Sequence, residues 1–346
     1  MKYAVIIGAG QIAEKVHVSY FKKRSSDIKI VAVVDPFIER AIEFAKRNNI
    51  PHYYETVEEM LKHENVDMAS ICTPNRFHFE TAMILLDHGV AVFCEKPPAM
   101  TANQAKLMYK KAKEKGSFLA FDFQHRYSEE TQQLKNQLEK LGDIYYIEAD
   151  ALRRSGVPGW GNFIDKEIQG GGPLIDLGIH MLDTTMYLLD FPEINRIQAY
   201  SFQKIGPYKS EGTFGTWDPG KYTVEDSLFG TIELKNGCVI RLNTSFALNM
   251  KEENRYNISL HGDKAGATLY PLEIYTDKAG KLEYLSQNKL SPVDKHTQSM
   301  KHFVDVVLSD QPHPSIEAEQ GYHIQKMIEL LYKSAETGEA LIYEDY

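Results

Sequence analysis

The chain has 346 residues, 43% of them hydrophobic and 25% charged, a composition that excludes disordered and collagen-like chains. Thirty-nine basic and 48 acidic side chains leave a net charge of −9, which argues against a nucleic-acid or anionic-membrane footprint. Three cysteines without metal-ligand spacing, and no apolar stretch near the roughly 20 residues of a membrane span, predict a cytoplasmic protein with buried, reduced thiols.

The first 122 residues predict a doubly wound α/β fold, in which helices cover both faces of a parallel sheet. Apolar runs without polar alternation are typical of strands covered on both sides. These runs are Tyr3–Ile7, Ile28–Val34, Asp67–Cys72, Val90–Cys94 and Phe118–Phe121. Between them, apolar residues at helical spacing predict helices, around residues 13–20, 79–86 and 105–112.

From about residue 123 the pattern changes to that of an α+β domain with an open, mostly antiparallel sheet. Apolar and polar residues alternate over Tyr222–Leu234 and Val239–Phe246, and Asn236-Gly237 between them predicts a tight hairpin turn. Helices are expected at Ser128–Leu141, Lys301–Ser309 and Ala318–Glu336. We therefore expect a Rossmann domain at residues 1–122 and a substrate-binding and oligomerisation domain at residues 123–346.

A glycine motif joins the first predicted strand to the first predicted helix. Gly8-Ala9-Gly10-Gln11-Ile12-Ala13 is G-x-G-x-x-A, in which Gly8 permits the tight turn and Gly10 lets the backbone approach a pyrophosphate. The helix N-terminus at Gln11 and Ile12 faces the anion. Asp35 ends the second strand, where a carboxylate accepts hydrogen bonds from ribose hydroxyls and repels a 2′-phosphate. The motif predicts NAD as the cofactor, while Arg40 leaves NADP open.

Two further strand ends fall at the same edge of the predicted sheet. In open α/β sheets, ligands bind outside the carboxyl ends of the strands. Thr73-Pro74-Asn75, followed by His78, and Glu95-Lys96-Pro97 should therefore flank the cofactor. Taken alone, Lys96 is a single lysine in a turn, for which a solvated surface role is the simpler interpretation.

A glycine run introduces the most polar helix of the second half. Gly170-Gly171-Gly172-Pro173 predicts a helix start, and Asp176 and His180, four residues apart, should share one face of that helix. A solvated face, or a buried aspartate–histidine hydrogen bond, remains an equal alternative. We expect no metal, because no other histidine or cysteine lies nearby at ligand spacing.

Together these motifs resemble the Gfo/Idh/MocA family of oxidoreductases, named for glucose–fructose oxidoreductase and inositol dehydrogenase. The resemblance covers essentially the whole chain and depends most on Glu95-Lys96-Pro97 combined with Asp176 and His180. It implies a dinucleotide-binding domain followed by an open sheet. It also implies that Lys96 hydrogen-bonds the substrate oxygen, that His180 is the acid/base, and that Asp176 binds substrate and orients the pair.

The implied reaction transfers a hydride between a secondary alcohol and a nicotinamide. Members of the family act on sugars, sugar phosphates, inositols and related cyclic polyols. The candidate substrate-binding residues are Gln124 and Arg126 after the last Rossmann strand, and Arg154 and Trp160 before the catalytic helix. Trp160 could equally be a packing anchor. The long segment Lys204–Lys221 could cover the site or meet another subunit.

Two other functions and an oligomeric state follow from the same residues. One alternative is an NADP(H)-dependent reductase of a keto-sugar or another carbonyl, and the other is a non-catalytic, dinucleotide-sensing regulator. The apolar residues of the second sheet exceed what one helical layer covers, so we expect a homodimer or homotetramer through this sheet. These residues are Tyr222, Val224, Leu228, Ile232, Ile240, Leu242 and Phe246.

Overall fold

The computed structural model describes residues 1–287, 290, 293–309 and 314–344 and divides the chain into two compact units. The first unit comprises Met1–Asp122 and Lys295–Gln325, and the second comprises Phe123–Asp294 and Lys326–Tyr346. The segment Lys295–Gln325, which the linear division assigned to the second domain, therefore packs with the first unit. Within the described ranges, no helix is both long and apolar enough to cross a membrane.

In residues 1–122, all of which are described, six strands form an entirely parallel sheet. Its spatial order, β3-β2-β1-β4-β5-β6, is that of the Rossmann fold. The strands are β1 (Lys2–Ile7), β2 (Ile28–Val34), β3 (His52–Tyr54), β4 (Met68–Ile71), β5 (Ala91–Cys94) and β6 (Leu119–Phe121). The five predicted strands are confirmed. The short β3, which is half exposed, lacks the apolar run that identified the others.

The second unit contains a mixed sheet of nine strands within the described residues, in the order β16-β15-β14-β13-β7-β12-β11-β8-β17. Only the pairing of β7 with β12 is parallel among these strands. The strands are β7 (Ile144–Arg153), β8 (Ile194–Phe202), β9 (Glu211–Gly212), β10 (Gly215–Thr216), β11 (Ser227–Leu234), β12 (Val239–Ser245), β13 (Asn254–Gly262), β14 (Gly266–Thr268), β15 (Glu273–Lys278), β16 (Lys281–Gln287) and β17 (Leu341–Ile342). Strands β9 and β10 form a separate ribbon. The predicted fold class is confirmed in both units.

Helices follow most of the strands in the first unit and cover one face of the sheet in the second. The α-helices are α1 (Ser19–Lys23), α2 (Ile38–Asn48), α3 (Val57–His63), α4 (His78–Asp87), α5 (Ala102–Lys115), α6 (Glu129–Lys135), α7 (Lys166–Gln169), α8 (Ile179–Leu188), α9 (Lys295–Leu308) and α10 (Ile316–Thr337). Two π-helical turns precede α1 and α8, at Ala13–Val18 and Leu174–Gly178. The helix predicted at Ser128–Leu141 divides into α6 and a 3-10 turn, Leu138–Leu141.

Helix α9 completes the core of the first unit. The ring of Phe303 lies 5.5 Å from that of Phe118 and 5.1 Å from that of Phe93 in β5. Met300, Val304 and Val307 of the same helix are also buried in this core. The apolar face of α9 therefore contributes to the parallel sheet, which explains why this late segment belongs to the first unit.

The apolar face of the second sheet is covered within the chain. All seven residues on which the expected oligomer was argued are buried, from Tyr222 at 5% exposure to Leu228 at 0%. Leu331 of α10 packs where a side chain at Gly230 of β11 would lie, and Ser334 hydrogen-bonds the Ala199 amide of β8. These seven residues are therefore covered within the chain, in part by α10, and do not themselves argue for self-association.

Candidate functional site

The parallel register of β1, β4 and β5 places three of the predicted motifs at one edge of the first sheet. Ile7 of β1 is level with Ile71 of β4, and Ile71 is level with Cys94 of β5. The glycine turn, the Thr73 turn and the Lys96 turn each begin directly after these residues. Three turns that are distant in sequence therefore leave the sheet at the same level.

The two glycines of the first turn are required for different reasons. Gly8 has φ +96°, and a Cβ there would lie 2.9 Å from the Cys72 carbonyl carbon, so the protein itself requires glycine. At exposed Gly10, by contrast, a Cβ would meet no heavy atom of the described chain within 4 Å. A requirement for glycine at position 10 must come from a ligand, and this open space fits the close approach of a pyrophosphate.

Asp35 is 3% exposed and ties the end of β2 to the glycine turn. Its Oδ2 accepts a hydrogen bond of 3.0 Å from the Ala9 amide, and its Oδ1 accepts one of 3.0 Å from the Phe37 amide. Arg40 lies 3.5 Å from the same carboxylate and 4.6 Å above the ring of exposed Phe37. The predicted ribose-binding aspartate is therefore already held by backbone donors, with a cation beside it.

The first helix does not start as the regular α-helix that its apolar spacing predicts. Gln11 is exposed, Ile12 is half-buried, and the following turn, Ala13–Val18, is π-helical before α1 begins at Ser19. A π-turn inserts one extra residue and is frequent at functional sites. Here it carries His17, which is completely buried.

The Thr73 turn is held by the side chain of His78, the first residue of α4. His78 is fully buried, with its Nε2 2.9 Å from the Thr73 carbonyl oxygen and its Nδ1 2.8 Å from the Pro97 carbonyl oxygen. Burial lowers the pKa of His78 more than the two carbonyl oxygens raise it. The imidazole therefore lies between the Thr73 turn and the Lys96 turn, within hydrogen-bond distance of a carbonyl oxygen of each.

The remaining residues of the Thr73 turn keep features of a binding loop. Pro74 is exposed, while Asn75 is buried and begins a short 3-10 turn, Asn75–Phe77. The Thr73 hydroxyl is buried and lacks a hydrogen-bond partner among the described residues. A buried hydroxyl of this kind normally finds a partner, so a bound ligand would satisfy it.

The Lys96 turn contains a buried carboxylate next to a half-buried amine. Glu95 Oε1 lies 3.0 Å from Nε2 of His17, whose ring packs 5.7 Å from that of Phe93. Burial is the strongest single influence and raises the pKa of Glu95, but the hydrogen bond from His17 and the charges of His17, Lys96 and His296 together leave the pKa below its ordinary value. Glu95 is thus an ionised residue inside the unit, and Lys96 beside it is half-buried.

In the second unit, a carboxylate caps the N-terminus of the helix that carries Asp176 and His180. The carboxylate of Glu225 accepts hydrogen bonds from the Gly172 and Leu174 amides, at 3.0 and 3.2 Å, and from the Tyr332 hydroxyl at 2.8 Å. A Cβ at Gly171 would collide with that tyrosine hydroxyl. The glycine run therefore makes room for two side chains that cap the helix.

Asp176 lies in the π-turn Leu174–Gly178, and His180 is the second residue of α8. The expected spacing of a regular helix does not apply across this junction, since hydrogen bonds in a π-helix join residues five apart. His180 is 6% exposed, and its ring centroid lies 5.1 Å from that of His125. Asp176 is half-buried, and its charge contributes to raising the pKa of Tyr256, after burial of that phenol.

His125 connects His180 to two tyrosines that sequence reasoning missed. Its Nδ1 lies 3.0 Å from the Tyr270 hydroxyl, and its ring centroid lies 5.6 Å from that of Tyr256. The sequence offered no spacing signal for these contacts, because the tyrosines are on or beside β13, more than 100 residues away. His125 and the two tyrosines that it contacts therefore form a cluster beside His180, the predicted acid/base.

Arg126 and Gln124, the two substrate candidates after β6, differ in their surroundings. Arg126 forms a buried, two-point ion pair with Asp183, at 2.8 and 2.5 Å, and is enclosed by the rings of Phe123 and Tyr187. Burial of both charges favours a structural role for this pair. The Oε1 atom of Gln124 is buried and has no partner in the described chain, so it can accept a hydrogen bond from a ligand hydroxyl.

The other two candidates belong to the surface around the β9–β10 ribbon. Trp160 is 56% exposed, and its ring contacts Phe163 and Phe214 edge to face at 6.3 and 5.9 Å. Exposed Arg154 donates instead to the Lys251 carbonyl at 2.8 Å. Trp160 therefore keeps an accessible aromatic face of the kind that binds sugar rings, whereas Arg154 is bound to backbone.

The order of the parallel sheet and the glycine turn after its first strand are those of a dinucleotide-binding Rossmann domain. Residues 2–123 match the model of the "Oxidoreductase family, NAD-binding Rossmann fold", and residues 135–342 match that of the "Oxidoreductase family, C-terminal alpha/beta domain". The chain belongs to the Gfo/Idh/MocA family of oxidoreductases, and its N-terminal unit is an NAD-binding domain.

Several known proteins resemble the chain along most of its length. The D-glucoside 3-dehydrogenase of Escherichia coli (strain K12) is 51% identical over 335 residues, which is 96% of this chain and 95% of that protein. The scyllo-inositol 2-dehydrogenase (NADP(+)) of Bacillus subtilis (strain 168) is 28% identical over 208 residues, 57% of this chain and 61% of its own. The levoglucosan dehydrogenase solved with NADH and levoglucosan shares the fold, with a TM-score of 0.81 at 19% identity over 99% of each chain.

The two glycines of the first turn should respond differently to a methyl group. Gly10→Ala should leave the unfolding free energy of the nucleotide-free protein unchanged and weaken NAD binding at least about tenfold, because the methyl enters the ligand's space. Gly8→Ala should cost about 1–3 kcal/mol of stability through its left-handed backbone and the contact with Cys72. Denaturant unfolding and fluorescence titration with NAD measure both effects. Wild-type NAD affinity in Gly10→Ala would contradict the assignment of this space to the pyrophosphate.

Proposed function

We propose that the protein is an NAD-dependent dehydrogenase that oxidises a secondary ring hydroxyl of a D-glucoside to the ketone. The observation that carries the proposal is 51% identity to a D-glucoside 3-dehydrogenase over 96% of this chain. The residues described above support it, because a lysine, a histidine and a buried amide acceptor suit a neutral, hydroxyl-rich substrate. NAD, when bound, accepts the hydride from the carbinol carbon.

In the proposed reaction, His180 removes the hydroxyl proton. Hydride loss from a secondary alcohol leaves a ketone only if the hydroxyl proton departs as well, and an imidazole titrates near neutral pH. The neighbouring His125 ring and the Tyr270 hydroxyl beyond it limit how the His180 ring can rotate. In this proposal, His180 is thus a base whose orientation is set before substrate binds.

The proposed task of Lys96 is electrostatic. Its ammonium group stabilises the negative charge that develops on the substrate oxygen as the proton leaves, which lowers the pKa of the hydroxyl. Asp176 binds a second substrate hydroxyl and balances the positive charge that His180 acquires. Gln124 accepts a hydrogen bond from a further substrate hydroxyl through its buried Oε1, and the exposed face of Trp160 stacks on a sugar ring.

Substitution of either proposed catalytic residue should abolish most of the activity. Lys96→Ala and His180→Ala should each lower kcat by at least about 10²-fold and leave NAD binding intact. If both side chains act on one substrate oxygen, the double variant should lose less than the product of the two single losses. Steady-state kinetics and an NAD titration measure these effects, and near-normal turnover in both single variants would remove the mechanism.

The substrate class can be tested by following nicotinamide absorbance at 340 nm. Purified protein should reduce NAD with methyl D-glucoside, and NADP much more slowly, because Asp35 repels a 2′-phosphate. The panel should include inositols, aldoses and sugar acids. Methyl 3-deoxy-D-glucoside is the matched control, because it lacks the hydroxyl at position 3, the position in the name of the related D-glucoside 3-dehydrogenase. Faster reduction of NADP would favour the alternative suggested by Arg40 beside Asp35. Tight NAD binding without turnover on any substrate would favour a regulator.

We also propose that the chain self-associates through the outer face of its second sheet. Tyr200 and Phe202 of β8 are 54% and 42% exposed, and Phe202 contacts the ring of Phe229 on β11. Ion pairs flank them on the same face, including Arg196 with Glu233. Exposed aromatic groups with a charged rim are typical of a protein interface.

Light scattering should therefore give a mass of at least two chains at micromolar concentration. Phe202→Lys should reduce that mass to one chain, because a lysine in the centre of an apolar interface leaves a charge without water. Lys209→Glu, an exposed charge change outside this sheet, serves as the control. A one-chain mass for the unmodified protein would refute the interface.

A further inference from the structure

Both neighbours of Lys96 in the sequence are held by buried histidines. The carboxylate of Glu95, one residue before, lies 3.0 Å from His17 Nε2. The carbonyl oxygen of Pro97, one residue after, lies 2.8 Å from His78 Nδ1. Both histidines are 0% exposed, and all five residues belong to the first unit. The backbone at Lys96 is therefore fixed from two sides by side chains from different elements.

The contact on the Glu95 side joins the Lys96 turn to the first helix. An ionised carboxylate only accepts hydrogen bonds, so Nε2 of His17 carries the proton and donates it. The ring of His17 packs 5.7 Å from that of Phe93, which lies in β5. His17 itself comes from the π-turn that follows the glycine motif. This contact links the element that begins the nucleotide-binding helix to the residue before Lys96.

The contact on the Pro97 side joins the Lys96 turn to the Thr73 turn. His78 reaches two carbonyl oxygens, those of Thr73 and Pro97, through its two ring nitrogens. A neutral imidazole has one N–H and donates to one carbonyl at a time. His78 therefore donates to one of the two turns at a time and packs between both, and its loss would free the backbone on the C-terminal side of Lys96.

We propose that His17 and His78 are positioning residues that hold the Lys96 backbone so that its ammonium group meets the substrate oxygen. The proposal rests on the proposed catalytic role of Lys96. A lysine side chain has four rotatable bonds, so its precision depends on a fixed backbone. A displacement of about 1 Å in a reacting group can cost about 10²-fold in rate. Neither histidine needs to touch substrate to have this effect.

The test replaces each histidine by a residue that keeps or removes the relevant donor. His17→Phe and His78→Phe keep an aromatic ring without a donor, whereas His17→Gln and His78→Asn place an amide N–H near the original Nε2 and Nδ1 positions. We expect the Phe variants to lower kcat about 10- to 100-fold, with KM and NAD affinity changed less than about threefold. The amide variants should recover most of that loss.

A control and a second background separate positioning from general damage. His88 follows α4 and also contacts a carbonyl oxygen, that of Ile84 at 2.8 Å, but it is exposed. His88→Phe should leave kcat unchanged. In a Lys96→Ala background, the His17 and His78 substitutions should have no further effect on kcat, because the group they position is absent.

Three results would overturn the proposal. The first is an equal loss of kcat from the histidine substitutions with and without Lys96, and the second is a loss confined to NAD affinity. The third is a kcat of both amide variants that does not exceed the kcat of the Phe variants. This third result decides the question if turnover in the Lys96→Ala background is too slow to measure. If a Phe variant does not fold, Glu95→Gln tests the His17 contact from the carboxylate side and should lower kcat alone. Failure of the proposed role of Lys96 is distinct, since Lys96→Ala itself would then retain normal turnover. Failure of the proposed function is distinct again, since the unmodified protein would then reduce no NAD.

Discussion

The parallel hydrogen-bonded register of β1, β4 and β5 is the constraint on which the first unit depends. Because Ile7, Ile71 and Cys94 are level, the turns that follow them must pack against one another. The glycine turn passes so close to the Cys72 peptide that only glycine fits at position 8. A shift of one residue in this register would separate the nucleotide-binding turn from the Lys96 turn and would reverse the faces of the strands.

The second unit positions its histidine by the opposite means, since a helix start and not a strand end carries it. Tyr332 and Glu225 occupy the volume that side chains at Gly171 and Gly172 would need, and Glu225 accepts hydrogen bonds from two amides of the first turn. The helix is thus anchored at its N-terminus, where the bonded amide of Leu174 lies six residues before His180. Anchoring at this end matters because unpaired amides there would otherwise require water.

The sequence predicted the strands and turns that depend on the local pattern of apolar and turn-forming residues. Continuous apolar runs identified five strands of the first sheet, and Asn236-Gly237 identified the hairpin between β11 and β12. The sequence could not predict the π-turns that carry His17 and Asp176, because a one-residue insertion leaves no mark on apolar spacing. The sequence placed His78 after the Thr73 turn but gave no sign that its two ring nitrogens lie within hydrogen-bond distance of backbone carbonyl oxygens. The packing of α9 with the first unit is likewise a long-range contact.

Gln124 and Arg126, two substrate candidates that lie two residues apart in sequence, illustrate how burial decides the use of a polar group. Arg126 was a reasonable choice by residue type, but a guanidinium that is 5% exposed and paired with Asp183 is already neutralised. The amide of Gln124 retains a buried acceptor that has no partner in the described chain. An unsatisfied buried acceptor costs about 1–3 kcal/mol, which a substrate hydroxyl would recover on binding. For a neutral sugar, such an acceptor gives more selectivity than a positive charge, because it forms a hydrogen bond only with a hydroxyl in one position.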